Sequence, residues 1–158
     1  MPKVPMTEEG YRALRQELDL LKNEQRPAIS AALAEARAHG DLSENAEYQA
    51  AKEKQGRIEA RIARLSRRLG MAEVIRANDL SGDEVRFGAW VTIRSATDGA
   101  EDTYQIVGSD EADLDLDQIS LESPIAKALL GKRKGMSVEV ETPGGTSSYT
   151  VTEVSYRR

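Results

Sequence analysis

Apolar positions along the chain follow two different periods. From Thr7 to about Arg76 they recur every three or four residues in a background of Ala, Leu, Glu, Arg and Gln, which favours helix. From about Val85 onward, β-branched residues alternate with polar ones between glycine-containing turns, which favours strands. Asn, Asp, Ser and Gly separate the two halves, as in a linker. We therefore expect a helical segment 1–77, a linker 78–84 and a β-rich domain 85–158.

The helical half is predicted to fold back on itself as an antiparallel coiled coil. Each arm carries one seam, a line of positions that step by four and three residues and face the other arm. The first-arm seam is Leu14, Leu18, Leu21, Gln25, Ala28 and Ala32, and the second-arm seam is Ala51, Gln55, Ile58, Ile62, Leu65, Leu69 and Ala72. Pairs whose residue numbers sum to 83, such as Leu18 with Leu65, place the turn at Gly40–Ser43. Arms of about 30 residues make a rod about 45 Å long.

Two features bear on this register. Pro27 removes a helix hydrogen bond, so we expect it to kink or restart the first arm. Three pairs of opposite charge should flank the seam, each worth about 0.5 kcal/mol when exposed. They are Glu24 with Arg61, Glu17 with Arg68 and Lys22 with Glu59. Near the turn, Arg37, Lys52 and Lys54 face no acid in this register, and they form either a solvated face or a small phosphate-facing patch.

The second half is predicted to be a β-sheet domain with one short helix. Its clearest strands are centred on Val91–Ile93, Tyr104–Ile106, Val138–Val140 and Tyr149–Val151. Asp98-Gly99 and Pro143–Gly145 are typical of turns between strands. The segment Pro124–Leu130 is predicted to be a helix, with Pro in its first turn and Gly131 at its end.

Composition excludes several classes of site. The 158 residues contain no Cys and one His, which excludes disulfide frameworks, Cys-ligated zinc, iron–sulfur clusters and multi-His metal sites. Residues 1–77 carry 14 basic and 12 acidic side chains, whereas residues 78–158 carry 8 and 15, so the second half is a poor nucleic-acid binder by itself. No apolar run approaches 18 residues, and the first residues do not form a signal peptide. We expect a soluble, cytoplasmic protein.

The tip of the predicted rod, residues 40–48, is acidic and allows two interpretations. Asp41 is a good N-cap for the second arm, and Glu44 three residues later completes a capping box. Alternatively, the two carboxylates lie within one helical turn and form half of a Mg²⁺ site, which another macromolecule must complete because Mg²⁺ takes six oxygen ligands. A cap can also present an oxygen to an ion. We expect His39 beside them to have a surface or capping role.

Several stretches of the chain resemble the Gre family of bacterial transcript-cleavage factors. They are Met6–Gly10, Glu35–Tyr48, Val107–Asp113, Ile119–Leu130 and Thr142–Gly145. The resemblance covers essentially the whole chain, and its most specific part is the segment Glu35–Tyr48 around the tip. It implies an α+β protein, with an N-terminal antiparallel coiled-coil hairpin followed by a C-terminal FKBP-like β-sheet domain with one short helix.

The resemblance also implies a function. The globular domain would dock at the rim of the secondary channel of RNA polymerase while the rod enters the channel. Asp41 and Glu44 would help the polymerase active site to hold a second Mg²⁺, and the nascent RNA 3′ end of a backtracked complex would be cut. The protein would then be no enzyme itself, with no cofactor of its own. Arg37 and Lys52 would face the RNA. The polymerase-binding residues would be Ser123, Pro124, Ile125 and Ala126.

The sequence is also compatible with rival functions. An FKBP-like half could be a prolyl isomerase, although residues 78–158 contain only five aromatic residues to line a pocket. The chain could be a structural coiled-coil adaptor, a sibling cleavage factor with a broader basic face, or an anti-cleavage homologue that inhibits the polymerase. A hairpin that satisfies its own seam has no need to dimerise, so we expect a monomer that does not contact membranes.

Overall fold

The chain forms two compact units. The computed structural model describes residues 3–40, 45–76 and 80–156. One unit contains Tyr11–Ala72, and the other contains Lys3–Gly10 together with the chain from Glu73 onward. The division into 1–77, 78–84 and 85–158 stays a prediction, but the N-terminal segment Lys3–Gly10 belongs to the second unit rather than to the helical one.

The predicted helical hairpin is confirmed. The first arm consists of α1 (Glu8–Leu20), a π-helical turn (Leu21–Gln25) and α2 (Arg26–Arg37), and the second arm is α3 (Ala46–Gly70). Glu17 in α1 pairs with Arg61, and Arg26, which is later in the first arm, pairs with Glu59, which is earlier in α3, so the arms run antiparallel. Apart from Gly40, the predicted turn at Gly40–Ser43 lies outside the described residues.

The π-helical turn explains how the first arm accommodates Pro27. The Arg26 N–H bonds to the Leu21 carbonyl, five residues earlier instead of four. Pro27 has no N–H, and in a regular α-helix its ring would collide with the carbonyl of Asn23. The wider turn lies directly before this proline and adds one residue to the helix. The expected kink or restart therefore takes the form of a single π turn.

The extra residue shifts the seam. The buried first-arm positions are Leu14, Leu18 and Leu21 before the π turn, and Ile29, Leu33 and Ala36 after it. The step from Leu21 to Ile29 is eight residues, whereas an unbroken heptad would reach Ala28. The predicted seam is correct up to Leu21 and wrong at Ala28 and Ala32, which are exposed.

The second-arm seam is confirmed at its four large apolar residues. These are Ile58, Ile62, Leu65 and Leu69, all buried. Ala51 and Gln55 are half-buried. Ala72 was predicted as the last seam position, but α3 ends at Gly70 and Ala72 begins a strand.

The predicted charge pairs have different partners in the structure. Arg61 makes a bidentate pair with Glu17, with Nε and Nη2 donating at 2.6 and 2.9 Å. Arg26 makes a bidentate pair with Glu59, with both contacts at 2.8 Å. The prediction assigned Arg61 to Glu24, Glu59 to Lys22 and Glu17 to Arg68, because it assumed one unbroken heptad register. The Arg61 guanidinium lowers the pKa of the Glu17 carboxyl.

The second unit is built on a mixed five-stranded sheet. Its strands are β3 (Trp90–Ser95), β4 (Glu101–Val107), β5 (Gln118–Ser120), β6 (Ser137–Thr142) and β7 (Gly145–Ser155), in the order β5-β4-β3-β7-β6. Only the β4–β5 pair is parallel. All four predicted strands lie within this sheet. The short β5 was not predicted, nor was a separate two-stranded sheet of β1 (Val4–Thr7) and β2 (Ala72–Ile75).

One aliphatic core lies under the five-stranded sheet. The short helix α4 (Pro124–Leu129) contributes Ala126 and Leu129 to it, and both residues are fully buried. The central strand β3 contributes Val91 and Ile93. The predicted short helix is confirmed, and it ends before Gly131, whose φ of 85° is in the left-handed region.

A carboxylate distant in sequence completes the N-terminal cap of α1. Thr7 precedes the helix, and its Oγ1 accepts the Gly10 N–H at 3.0 Å. In a capping box a Glu three residues after the cap would accept the cap's own N–H. Here that position is Gly10, and Glu111 takes the role by accepting the Thr7 N–H at 2.8 Å, the Thr7 hydroxyl and the Gly108 N–H at 3.1 Å. A Cβ at Gly10 would overlap this carboxylate. Burial raises the pKa of Glu111, although these hydrogen bonds oppose the rise.

The shift of the seam predicts that substitutions at Ile29 and Ala28 change the free energy of unfolding by different amounts. Ile29→Ala removes a buried side chain and should lower the free energy of unfolding by about 2–4 kcal/mol. Ala28→Gln changes an exposed helical position and should stay within about 0.5 kcal/mol of the parent. Chemical unfolding followed by circular dichroism measures both. An equal loss of stability in both variants, or a larger loss in the Ala28 variant, would contradict the shift and support an unbroken heptad.

The Glu111 cap predicts that two substitutions at this position differ in their effect on stability. Glu111→Gln keeps an acceptor for both backbone N–H groups and should lower the free energy of unfolding by less than about 1 kcal/mol. Glu111→Ala leaves those donors without a partner and should cost about 2–4 kcal/mol. Urea unfolding followed by the fluorescence of Trp90 reports on this unit directly. The cap assignment is contradicted if the Gln and Ala variants unfold at the same urea concentration.

Candidate functional site at the tip of the hairpin

The first arm ends at Gly40, as predicted. α2 ends at Arg37, after which the N–H groups of His39 and Gly40 bond to the carbonyls of Ala36 and Arg37 at 3.2 and 3.3 Å. Gly40 has φ of 110°, a conformation that side chains with a Cβ rarely adopt. The chain therefore leaves the helix directly before Asp41.

Asn45, and not Asp41, caps the second arm. α3 begins at Ala46, and the Asn45 Oδ1 accepts the Tyr48 N–H at 3.0 Å. The predicted capping box is therefore wrong, because Asp41 and Glu44 both precede the true cap. The sequence contained a usable signal, since Asn is as good an N-cap as Asp. Asp41 and Glu44 themselves lie outside the described residues.

Three contacts join the end of α2 to the start of α3. The Asn45 Nδ2 donates to the Ala36 carbonyl at 2.7 Å. The guanidinium carbon of Arg37 lies 5.8 Å from the ring centroid of Tyr48, in cation–π range. The third contact is between His39 Nδ1 and a Glu47 carboxylate oxygen, 3.6 Å apart, and both side chains are exposed. Both chain ends of the segment 41–44 are thus tied across the hairpin.

The two predicted RNA-facing residues are exposed and lie on opposite arms near the tip. Arg37 is the last residue of α2, and its guanidinium lies over the Tyr48 ring. Lys52 lies in the second turn of α3, and its Nζ is 3.5 Å from the Gln55 side-chain oxygen. Within the described ranges, neither residue has a carboxylate partner. Helix α3 as a whole carries seven Lys or Arg residues and three Glu, so the second arm has an excess of positive charge.

The four predicted polymerase-binding residues differ in how far they reach the surface. Ser123 caps α4, with its Oγ accepting the Ala126 N–H at 3.2 Å, and Pro124 in the first turn is exposed. Ile125 packs partly against the core, and Ala126 is fully buried. Pro124, with the flanking Ser123, is therefore the part of this loop that a partner could touch, while Ala126 holds α4 in place.

Metal binding by this chain alone finds no support in the described residues. Across 3–40, 45–76 and 80–156, no three His, Asp or Glu side chains are grouped so that they could hold an ion. The helices in those ranges are also too short or too polar to cross a lipid bilayer.

Comparisons with known proteins give consistent results over the whole length. The family model described as "Transcription elongation factor, N-terminal" matches residues 4–74, and "Transcription elongation factor, GreA/GreB, C-term" matches residues 80–156. The transcription elongation factor GreA of Phenylobacterium zucineum is 53% identical over 99% of this chain and 99% of its own. That of Hyphomonas neptunium is 54% identical over 99% of this chain and 100% of its own.

A solved structure, GreA factor homolog 1 (Gfh1) of Thermus thermophilus, is 32% identical and covers 97% of this chain and 99% of its own, with a TM-score of 0.45. The family matches together span nearly every residue, and the identity to the curated GreA proteins extends from end to end. The chain belongs to the GreA/GreB family of transcription elongation factors.

Proposed function

We propose that this elongation factor binds bacterial RNA polymerase, inserts its helical hairpin into the secondary channel and stimulates cleavage of backtracked RNA 3′ ends. The observation that carries this proposal is the cap of the second arm. Because Asn45 starts α3, the adjacent acids Asp41 and Glu44 have no role in capping that helix. In this proposal the two carboxylates serve an external partner.

The shape of the hairpin suits delivery into a narrow channel. Helix α3 has 25 residues, which at about 1.5 Å per residue give a length of about 37 Å. Two paired helices make a rod only two helices wide. Residues at its end can therefore reach a site deep inside a partner.

The chemistry of the tip suits a shared metal site. Carboxylate oxygens are hard ligands of the kind that Mg²⁺ prefers, but two of them leave most of its six positions unfilled. A second Mg²⁺ in the polymerase active site would stabilise the attacking water and the in-line displacement at the RNA phosphodiester. In this arrangement Asp41 and Glu44 contribute ligands, and the catalytic centre belongs to the polymerase.

The basic residues suit the RNA side of the same site. Arg37 and Lys52 are exposed near the tip and lack carboxylate partners among the described residues. The Arg37 guanidinium lies over the Tyr48 ring at a cation–π distance. These two cations would face the phosphates of the RNA 3′ segment, and Pro124 with Ser123 would contact the polymerase from the second unit. The activity would take place where bacterial polymerase transcribes, in the cytoplasm.

The tip acids provide the direct test. Asp41→Asn and Glu44→Gln remove one charge each at positions that do not cap α3, so both variants should fold and bind polymerase normally. If each acid is a ligand, either variant should slow cleavage by about 100- to 1,000-fold. A stalled elongation complex with end-labelled RNA measures the rate, and raising Mg²⁺ should recover part of it.

Glu35→Gln is the matched control, because it removes an exposed carboxylate from α2 close to the tip. It should cleave at the wild-type rate. Near-normal cleavage by both tip variants would contradict the metal assignment. A wild-type protein that slows the polymerase's intrinsic cleavage would instead identify an anti-cleavage factor.

The basic residues provide a second test. Reversing both Arg37 and Lys52 to Glu should lower cleavage by about tenfold at low salt, and added salt should reduce the wild-type rate toward that of the variant. The control reverses Arg57 and Arg64, which are exposed farther along α3. If the two double variants lose activity equally, the effect comes from overall charge and not from a patch at the tip.

A further inference from the structure

The Asn45 side chain, at the base of the tip, makes two hydrogen bonds, one within its own helix and one to the other arm. The Asn45 Oδ1 accepts the Tyr48 N–H at 3.0 Å and starts α3, while its Nδ2 donates to the Ala36 carbonyl at 2.7 Å on the other arm. We infer that Asn45 is a positioning residue for Asp41 and Glu44, because it fixes the second arm's end of the acidic segment against the first arm. This inference rests on the proposed function.

The Ala36 carbonyl is a suitable anchor. It belongs to the last turn of α2, where carbonyls lack regular partners within the helix, and its other described bonds come from the N–H groups of Ala38 and, at 3.2 Å, His39 in the turn that ends the helix. Ala36 is a buried seam residue, 3% exposed, so the packing of the two arms holds the carbonyl oxygen that accepts the bond from Asn45. The bond from Asn45 therefore fixes the start of α3 to the packed part of the hairpin.

Only an amide satisfies both bonds. Asn, Asp and Ser are comparable as N-caps, since each offers a side-chain oxygen to the helix N–H groups. Asp has no donor for the Ala36 carbonyl and would place a negative oxygen against it. Ser has a single oxygen on a shorter side chain, which cannot occupy the positions of both Asn45 Oδ1 and Asn45 Nδ2. A requirement for capping alone would accept all three residues, whereas a tie between the arms requires Asn.

The acidic segment is short enough to depend on this tie. Gly40 ends the first arm directly before Asp41, and Asn45 directly follows Glu44, so only four residues lie between two held ends. Reaction geometry is sensitive to placement, and a shift of about 1 Å in a reacting group can cost about 100-fold in rate. Loss of the bond to Ala36 would release one end of the segment that carries both acids.

The experiment uses the full chain with Asn45→Asp and Asn45→Ser, which keep the cap and remove the tie. The helical circular dichroism signal and the polymerase concentration for half-maximal effect should match the wild type. The maximal cleavage rate should fall at least tenfold, and the Mg²⁺ concentration for half-maximal cleavage should rise. Amide hydrogen exchange should accelerate at residues 40–45 and remain unchanged over the middle of α3.

The possible outcomes separate clearly. Wild-type cleavage rates and tip exchange in both variants would overturn the inference. So would a loss of cleavage that follows a parallel loss of polymerase affinity or of helix content, since that pattern is structural. If the wild-type protein stimulates no cleavage, the proposed function fails, and the exchange measurement still decides whether Asn45 holds the tip.

Discussion

Burial of one apolar seam between two antiparallel helices is the interaction on which the helical unit depends. α3 is polar on its remaining surface and rich in Arg, and an isolated helix of this kind gains little from its own hydrogen bonds. Four large aliphatic residues spaced by four and three face the first arm and supply the hydrophobic stabilisation. The ion pairs of Arg61 and Arg26 flank this seam where water still reaches the charges, so each adds little to the stabilisation.

The π turn allows the apolar seam to continue past Pro27, a residue that interrupts a regular α-helix. Pro27 cannot join a regular α-helix without losing a bond and colliding with an earlier carbonyl. One extra residue before it relieves the collision, and the larger side chains Ile29 and Leu33 then take the buried positions that an unbroken heptad would give to alanines. Burial of an Ile and a Leu in place of two Ala residues outweighs the poorer geometry of one wide turn.

Helix ends in this protein are completed by groups from elsewhere in the chain. Thr7 caps α1 locally, but the second half of its cap comes from Glu111, about a hundred residues away. Asn45 caps α3 locally and also reaches the end of α2. A cap that reaches another segment connects two parts of the fold, and at the hairpin tip this connection borders the two acids on which the proposed activity depends.

The sequence by itself determined the helical hairpin, the second-arm seam, four strands, the helix α4 and the identity of the tip, because these follow from local periodicity, turn residues and a specific string of side chains. Only the tertiary structure decided the shifted first-arm seam, the partners of Glu17 and Glu59, the short strands β1, β2 and β5, and the choice of Asn45 as the cap. Pro27 announces a local disturbance, but whether the arm kinks, restarts or adds a residue depends on which side chains the second arm can bury. The other features depend on which distant atoms meet: a bidentate ion pair, a strand paired across the chain and an amide that reaches a carbonyl nine residues away are not encoded in the spacing of neighbouring residues.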